Sequence, residues 1–288
     1  MKDHMIRTLS RDGSLRASAA VTTTLVDEIR RLQGTDPTAS VALGRLVTGA
    51  ALMGSLLKGE QRLALMIEGS GPLQKLHAEA DAAGHVRGSV KNPVSGVPLR
   101  EGEFDVAGAI GKAGFLHVIK DLGLKEPYRG MVELYRSTVA QDLAYYFTTS
   151  EQTPSTVALG AYLEPDGSVS AAGGFMIQAL PDADETTLSL VEARLLALPP
   201  TTSLLREGLG PVHILERIFD GIPFNVTGET DLFFRCSCSR SQVERMLRSL
   251  GAEELRNLRE REEKTSVTCE FCRASYHFSS EDLEAISR

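Results

Sequence analysis

Apolar and polar positions alternate through much of the first two-thirds of the chain, and the spacing turns helical after Asp182. His4–Ser10 and Ser14–Val21 read as two strands around the turn signal Arg11-Asp12-Gly13. Asp36-Pro37 starts a helix, with an acid at the N-cap and proline at the first helical position. It runs through Val41, Arg45 and Leu46 towards Leu57, and its small residues Gly44, Gly49, Ala50, Ala51 and Gly54 let another element approach closely. Leu63, Leu65 and Ile67 share one face of a strand over Gln61–Glu68, which Gly69-Ser70-Gly71-Pro72 ends. Further strands are predicted at Leu76–Ala80, His85–Val90, Phe115–Lys120 and Met131–Tyr135, and a helix over Ser137–Thr148. Val157–Leu163 and Ala171–Leu180 form a predicted hairpin around Pro165-Asp166-Gly167. Runs of strands with few helices between them favour an α+β fold. This first domain is expected to cover residues 1–180.

Beyond it the pattern is helical. Asp182-x-x-Glu185 has the form of a capping box, followed by the stripe Leu188, Val191, Leu195 and Leu198. Pro199-Pro200 stops that helix, and Val212, Leu215, Ile218 and Phe219 make a second stripe before Gly221. Residues 181–230 are expected as a helical linker whose apolar faces pack on the first domain, or can be uncovered. Residues 231–288 read as a separate small unit. In it Ser241-x-x-Glu244 is expected to cap a helix carrying Val243, Met246, Leu247 and Leu250, ended by Gly251. A charged helix over Ala252–Lys264, a hairpin within Ser266–Phe278 and a last helix over Ser279–Ile286 complete it.

Composition narrows the function. With 42% hydrophobic and 24% charged residues over 288 positions, the chain has an ordinary globular make-up. The net charge of -7 argues against a protein whose main work is holding nucleic acid or anionic lipid. The longest apolar run, Leu43–Leu57, is broken by Arg45 and is shorter than the ~20 residues of a spanning helix. Met1-Lys2-Asp3-His4-Met5 lacks an apolar signal core, so the expected location is the cytosol.

The candidate chemistry lies in the cysteines. There are 4, all beyond residue 235, in two close pairs: Cys236-Ser237-Cys238 and Cys269-Glu270-Phe271-Cys272. Each pair supplies two thiolates from one turn, which is how a structural zinc site is built. Zinc is the expected metal, being thiolate-tolerant and the usual occupant of a four-cysteine site. Such a site could simply clip together a domain near the size where a core alone is marginal, with apparent binding free energy on the order of 10–16 kcal/mol. Thiolates are also the oxidisable form of cysteine. Oxidation to two disulfides would eject the metal and the folding energy with it, making a switch whose output is unfolding. Pairing of Cys236 with Cys238 and of Cys269 with Cys272 is expected, because those sulfurs stay close once the domain loosens.

Other readings are weaker. Gly108-Ala109-Ile110-Gly111-Lys112-Ala113-Gly114 has the wrong spacing for a phosphate loop, and Ala113 stands where a magnesium-binding hydroxyl is needed. His277 could substitute as a ligand, though four cysteines leave it a packing or surface role. A nucleic-acid-binding zinc module remains open, but Arg235, Arg240, Arg245, Arg248, Arg256, Arg259 and Arg261 are interleaved with glutamates and nearly cancel. A thiol–disulfide oxidoreductase would need a thioredoxin-like setting for Cys269 and Cys272, which sit instead in a short predicted hairpin.

The order of motifs is similar to that of a known family. Cys236-Ser237-Cys238-Ser239, Val267-Thr268-Cys269-Glu270-Phe271-Cys272, Tyr276-His277-Phe278 and Asp282-Leu283 resemble the redox-switch domain of the heat shock protein 33 family. Leu57-Lys58-Gly59, Gly69-x-Gly71-Pro72-Leu73, Val86-Arg87-Gly88 and Asn92-Pro93 extend the resemblance along the chain. It implies an α+β first domain, a helical linker and a zinc domain in a redox-regulated holdase, not an enzyme. It further implies that Cys236, Cys238, Cys269 and Cys272 hold zinc in the reduced, inactive form. Peroxide or hypochlorous acid would then form two disulfides, release zinc and unfold the last domain and linker. The bared apolar surface would hold unfolding clients without ATP, and the active form would be a homodimer.

Overall fold

The computed structural model describes residues 1–261 and 264–287. Met1–Phe234 forms one compact unit and Arg235–Arg288 a second. The first opens with β1 (His4–Ser10), β2 (Leu15–Val21), α1 (Thr23–Gln33) and α2 (Pro37–Gly54). Strands β3 (Arg62–Gly69), β4 (Lys75–Asp81) and β5 (His85–Val90) follow, then α3 (Val106–Ile110), β6 (Gly114–Asp121), β7 (Tyr128–Glu133) and α4 (Ala140–Thr149). Next come β8 (Ser155–Leu163), β9 (Val169–Ala179), α5 (Glu185–Ala197), α6 (Thr201–Arg206), α7 (Pro211–Ile218), β10 (Phe224–Asp231) and β11 (Phe233–Phe234). The second unit holds α8 (Arg240–Arg248), α9 (Ala252–Arg261), β12 (Lys264–Thr268), β13 (Ser275–Ser279) and α10 (Ser280–Ser287). The mixed α+β class expected from the sequence is the one observed.

The first unit contains two sheets. One has five strands in the order β10-β1-β2-β9-β8, with every neighbouring pair antiparallel. The other runs β11-β5-β4-β3-β6-β7, antiparallel except where β11 lies parallel to β5. Helix α2 is the core element: of its 18 residues only Pro37 and Arg45 escape burial. A helix that is apolar all round must be surrounded, and α2 packs on strands of both sheets. Its glycines do what the sequence suggested. A Cβ at Gly44 would stand 2.7 Å from Val26 of α1, and one at Gly49 2.6 Å from Leu143 of α4.

Asp36 caps α2 as predicted, accepting the Ala39 N–H at 2.8 Å. It also accepts the Ser95 N–H, the Ser95 hydroxyl and the Gly96 N–H. Burial opposes its ionisation, but these donors outweigh that cost and hold its carboxyl below the usual 3.8. A depressed carboxyl adds stability above its unfolded pKa and loses it as pH falls through the folded value. Asn caps a helix about as well as Asp, but its Nδ2 cannot accept from Ser95 and Gly96, so Asp36→Asn is expected to cost about 1–3 kcal/mol at neutral pH, with the gap closing below pH 3.8. Thermal unfolding of both proteins at pH 7 and pH 3 checks this; a gap independent of pH would remove the charge from the account.

Strands β2 and β9 are buried on both faces. One face joins the α2 cluster through Ala20, Ala172 and Met176. The other, with Leu15, Ala17, Phe175 and Ile177, is covered by Val191, Leu204, Ile214, Leu215, Ile218 and Phe219. Both stripes predicted within 181–230 thus pack on this sheet, with Leu188, Leu195, Leu198 and Val212 half-buried against it.

Several elements differ from the sequence expectation. Helix α1 has no local cap; the carboxylate of Asp3, far earlier in the chain, accepts from the N–H groups of Thr24 at 3.2 Å and Leu25 at 2.6 Å. Phe224–Asp231, within or beside the expected helical linker, is a strand paired with β1. The cap of α5 is Asp184, not Asp182. The predicted strand Met131–Tyr135 begins earlier, at Tyr128, and the following helix begins only at Ala140. Residues 135–139 wind instead around the buried Asp142 carboxylate, which accepts from the N–H groups of Tyr135, Arg136, Ser137 and Val139. That winding forces Ser137 to φ 58 and Val139 to φ 70, which no helix allows. The glycine-rich stretch rejected as a phosphate loop forms α3 and its exit; a Cβ at Gly71 would strike the backbone of Ala109 and Ile110.

Candidate metal centre

Within the second unit, Cys236 and Cys238 lie on the irregular segment before α8. Cys269 and Cys272 lie on the turn between the antiparallel strands β12 and β13. The turn is closed by the Arg273 N–H to the Cys269 carbonyl at 3.0 Å and the Cys269 N–H to the Ala274 carbonyl at 2.9 Å. Arg273 takes φ 59 to complete it.

The fold brings all four predicted sulfurs together. Each lies within 4.8 Å of the others, and no disulfide links them. Two close contacts run between the pairs: Cys236 to Cys269 at 3.6 Å and Cys238 to Cys272 at 3.3 Å. Tetrahedral coordination with metal–sulfur bonds of ~2.3 Å puts sulfurs about 3.8 Å apart. The cluster is the size of such a site, so these residues could hold a metal ion.

Its electrostatics point the same way. Burial pushes the Cys272 thiol up to about 12; the Ala274 N–H opposes this, while the neighbouring thiols add to it. Tyr276 donates its hydroxyl to the Cys238 sulfur at 3.2 Å. That hydrogen bond, with burial second, pushes its own phenol up to about 12. A divalent cation would oppose the rise at Cys272 by pairing with its thiolate.

Two supporting residues were not legible as such in the sequence. Tyr276 appeared only within a family motif. Arg240 read as one member of a basic cluster, but it donates to the His277 carbonyl at 2.7 Å and pairs with Glu244 at 3.1 Å and Asp282 at 3.0 Å. It also lies over the Phe278 ring, 4.4 Å from its centroid. Arg248 and Arg259 are likewise tied to Ile286 and Glu284. The α8 cap is Ser239, which accepts the Gln242 N–H at 3.3 Å, rather than Ser241. His277 stays outside the sulfur group, its Nδ1 sitting 2.6 Å from the Ser266 hydroxyl. The unit's core is small: Val243, Leu247, Leu255, Phe278, Leu283 and Ile286 are its buried apolar side chains among the described residues.

Among the described residues no helix is long and apolar enough to cross a membrane.

Comparison with known proteins agrees with this architecture. Residues 3–279 match the family model described as Hsp33 protein. The 33 kDa chaperonin of Syntrophotalea carbinolica is 66% identical over 286 residues, 99% of either chain. That of Geobacter sulfurreducens is 53% identical over 284 residues, 99% of this chain and 94% of the relative. The crystal structure of a 33 kDa chaperonin (heat shock protein 33 homolog) from Thermotoga maritima superimposes with a TM-score of 0.92 at 36% identity. It covers 100% of this chain and 98% of that one. With the family model matched almost end to end, and with relatives of this identity along the whole length, the chain belongs to the Hsp33 family, a family of chaperones.

Proposed function

We propose that the chain is a redox-regulated, ATP-independent holdase that acts on unfolding proteins in the cytoplasm and is not an enzyme. The observation that carries this is the sulfur cluster at the heart of a unit with so small a core. In the reduced form Cys236, Cys238, Cys269 and Cys272 would hold one zinc ion, which the sulfur-only donor set suits. Bound zinc supplies folding free energy to the second unit.

Oxidation removes that energy. Each disulfide forms as two thiolates give two electrons to one peroxide, which takes up two protons and leaves as two waters. Two disulfides consume two peroxides and free the metal. Close sulfur contacts also join the two turns. Once the metal is lost the turns part, and closing a loop of two or three residues costs far less entropy than closing one of thirty. The disulfides are therefore Cys236–Cys238 and Cys269–Cys272. Peptide mapping after peroxide should find these two; cross-linked peptides joining the turns would mean that the cluster oxidises without opening.

Residues 181–230 act as the linker in this reading. When α5, α6 and α7 leave their sheet, they bare the face carrying Leu15, Ala17, Phe175 and Ile177. An apolar area of that kind is what an unfolding client binds, and the active form is a homodimer. Suppression of aggregation of a thermally unfolding client, with and without peroxide at raised temperature, tests the whole scheme. Equal activity in both states would remove the switch; no activity in either would remove the chaperone. The nucleic-acid reading is less favoured because Arg240, Arg248 and Arg259 are engaged inside their own unit.

A further inference from the structure

Strand β8 closes one end of the five-stranded sheet, and its ladder partner among the described residues is β9 alone. The Ala179 N–H donates to the Pro154 carbonyl. Peptide groups alternate in direction along an antiparallel pair. Thr156, Ala158 and Gly160 therefore direct their backbone groups at β9, while Val157, Leu159 and Ala161 direct theirs away. Those outward groups have no hydrogen-bond partner among the described residues. The strand, Ser-Thr-Val-Ala-Leu-Gly-Ala-Tyr-Leu, contains no charge and no proline, the usual guards of a sheet edge.

A cavity of about 730 Å³ runs along this edge. Every residue from Ala158 to Leu163 lines it. Side chains of a strand alternate between faces, so consecutive residues share one cavity only through the strand's edge. One wall is Arg45, Phe104 and Thr138; the other is Leu195, Leu198 and Pro199 at the α5–α6 junction. Arg45 is largely withdrawn from water, and Glu103 nearby is the anion that favours its charge. Its guanidinium makes one long hydrogen bond, 3.4 Å to the Thr138 carbonyl, and its buried Nε has no partner among the described residues. A guanidinium carries five donors, so this one is short of acceptors.

We propose that the β8 edge docks an extended segment of an unfolded polypeptide. The segment adds as a further strand on Val157, Leu159 and Ala161 and places an acceptor oxygen, carbonyl or carboxylate, on Arg45. Every unfolded chain carries the same backbone donors and acceptors, so strand addition captures sequence-tolerantly, as a holdase must. The alternating edge groups, the apolar side chains Phe104, Leu195, Leu198 and Pro199, and one under-satisfied cation complement such a segment. The inference rests on the holding function proposed above and names a surface that performs it. Release of residues 181–230 would remove the Leu195–Pro199 wall and widen the groove, so docking strengthens on oxidation.

The test uses the full-length chain, peroxide-oxidised and reduced, with a labelled, reduced and carboxymethylated unfolded polypeptide. Residue-resolved hydrogen exchange should show the Val157, Leu159 and Ala161 amides slowed at least tenfold by the polypeptide in the oxidised protein. Thr156, Ala158 and Gly160, already in the ladder, should not change. Ala161→Pro deletes one outward N–H where an edge strand tolerates proline, and should weaken binding about tenfold with an unchanged thermal transition. The exchange measurement needs no variant and decides the matter if Ala161→Pro does not fold. Tight binding with unaltered exchange at the three amides overturns the edge and leaves the holding function intact. No binding in either state overturns both. Slowed exchange without polypeptide, together with a doubled mass, assigns the edge to a second copy of the chain and overturns the proposal.

Discussion

Reduced protein carrying Cys269→Ser together with Cys272→Ser is expected to purify without stoichiometric zinc and with residues 235–288 unfolded. Two of the four clustered sulfurs are removed, and a serine hydroxyl is a poor zinc ligand at neutral pH. Structural zinc in small domains supplies an apparent 10–16 kcal/mol, as much as the whole stability of an ordinary domain, about 5–15 kcal/mol. In the reading proposed above it would support a unit with few buried apolar side chains. The ion pairs of Arg240 are half-exposed and cannot make up the difference. Metal analysis and limited proteolysis read the result. Met1–Phe234, with its own clusters, should keep a protease-resistant core. A variant that retained one equivalent of metal, or a protected second unit, would remove the metal from the folding argument.

The other large effect is expected at Phe219, just beyond α7. Its ring is buried and meets Phe224 at 5.5 Å. Phe219→Ala should cost about 3–5 kcal/mol, the usual range for emptying a buried aromatic site. The loss falls on the layer formed by α5, α6 and α7, the layer proposed to leave the sheet on activation. The variant should therefore suppress client aggregation with all four thiols reduced and metal bound. Measuring holding activity alongside thiol count and metal content separates this from accidental oxidation. If reduced Phe219→Ala protein were as inactive as the parent, release of residues 181–230 would not be the activating step.

What was legible locally depended on where each signal sits. Asp36-Pro37 announced α2 because the cap and its helix are adjacent. Helix α1 went unread because its capping carboxylate, Asp3, reaches it from across the first hairpin. Two caps were displaced by two residues, to Asp184 and Ser239, because alternative capping residues stand nearby and only the path of the incoming chain selects between them. Strand β10 carries little apolar alternation of its own, being exposed along much of its length, and is a strand because β1 offers it a ladder. The helix expected from Ser137 starts later because Asp142 gathers the preceding N–H groups around itself.

The sequence by itself determined that four thiols stand in two close pairs, that 181–230 carries apolar stripes, and that the chain resembles one family throughout. Those are properties of residue type and near-neighbour spacing, which helical and strand periods report directly. Only the tertiary structure decided that Cys236 faces Cys269 and Cys238 faces Cys272. It alone set α2 between two sheets, engaged Arg240 with groups of its own unit, and left β8 as an edge with a groove beside it. Each of these joins residues far apart along the chain. Such contacts depend on which faces pack and which strands pair after the loops have closed, and local spacing carries no record of that outcome.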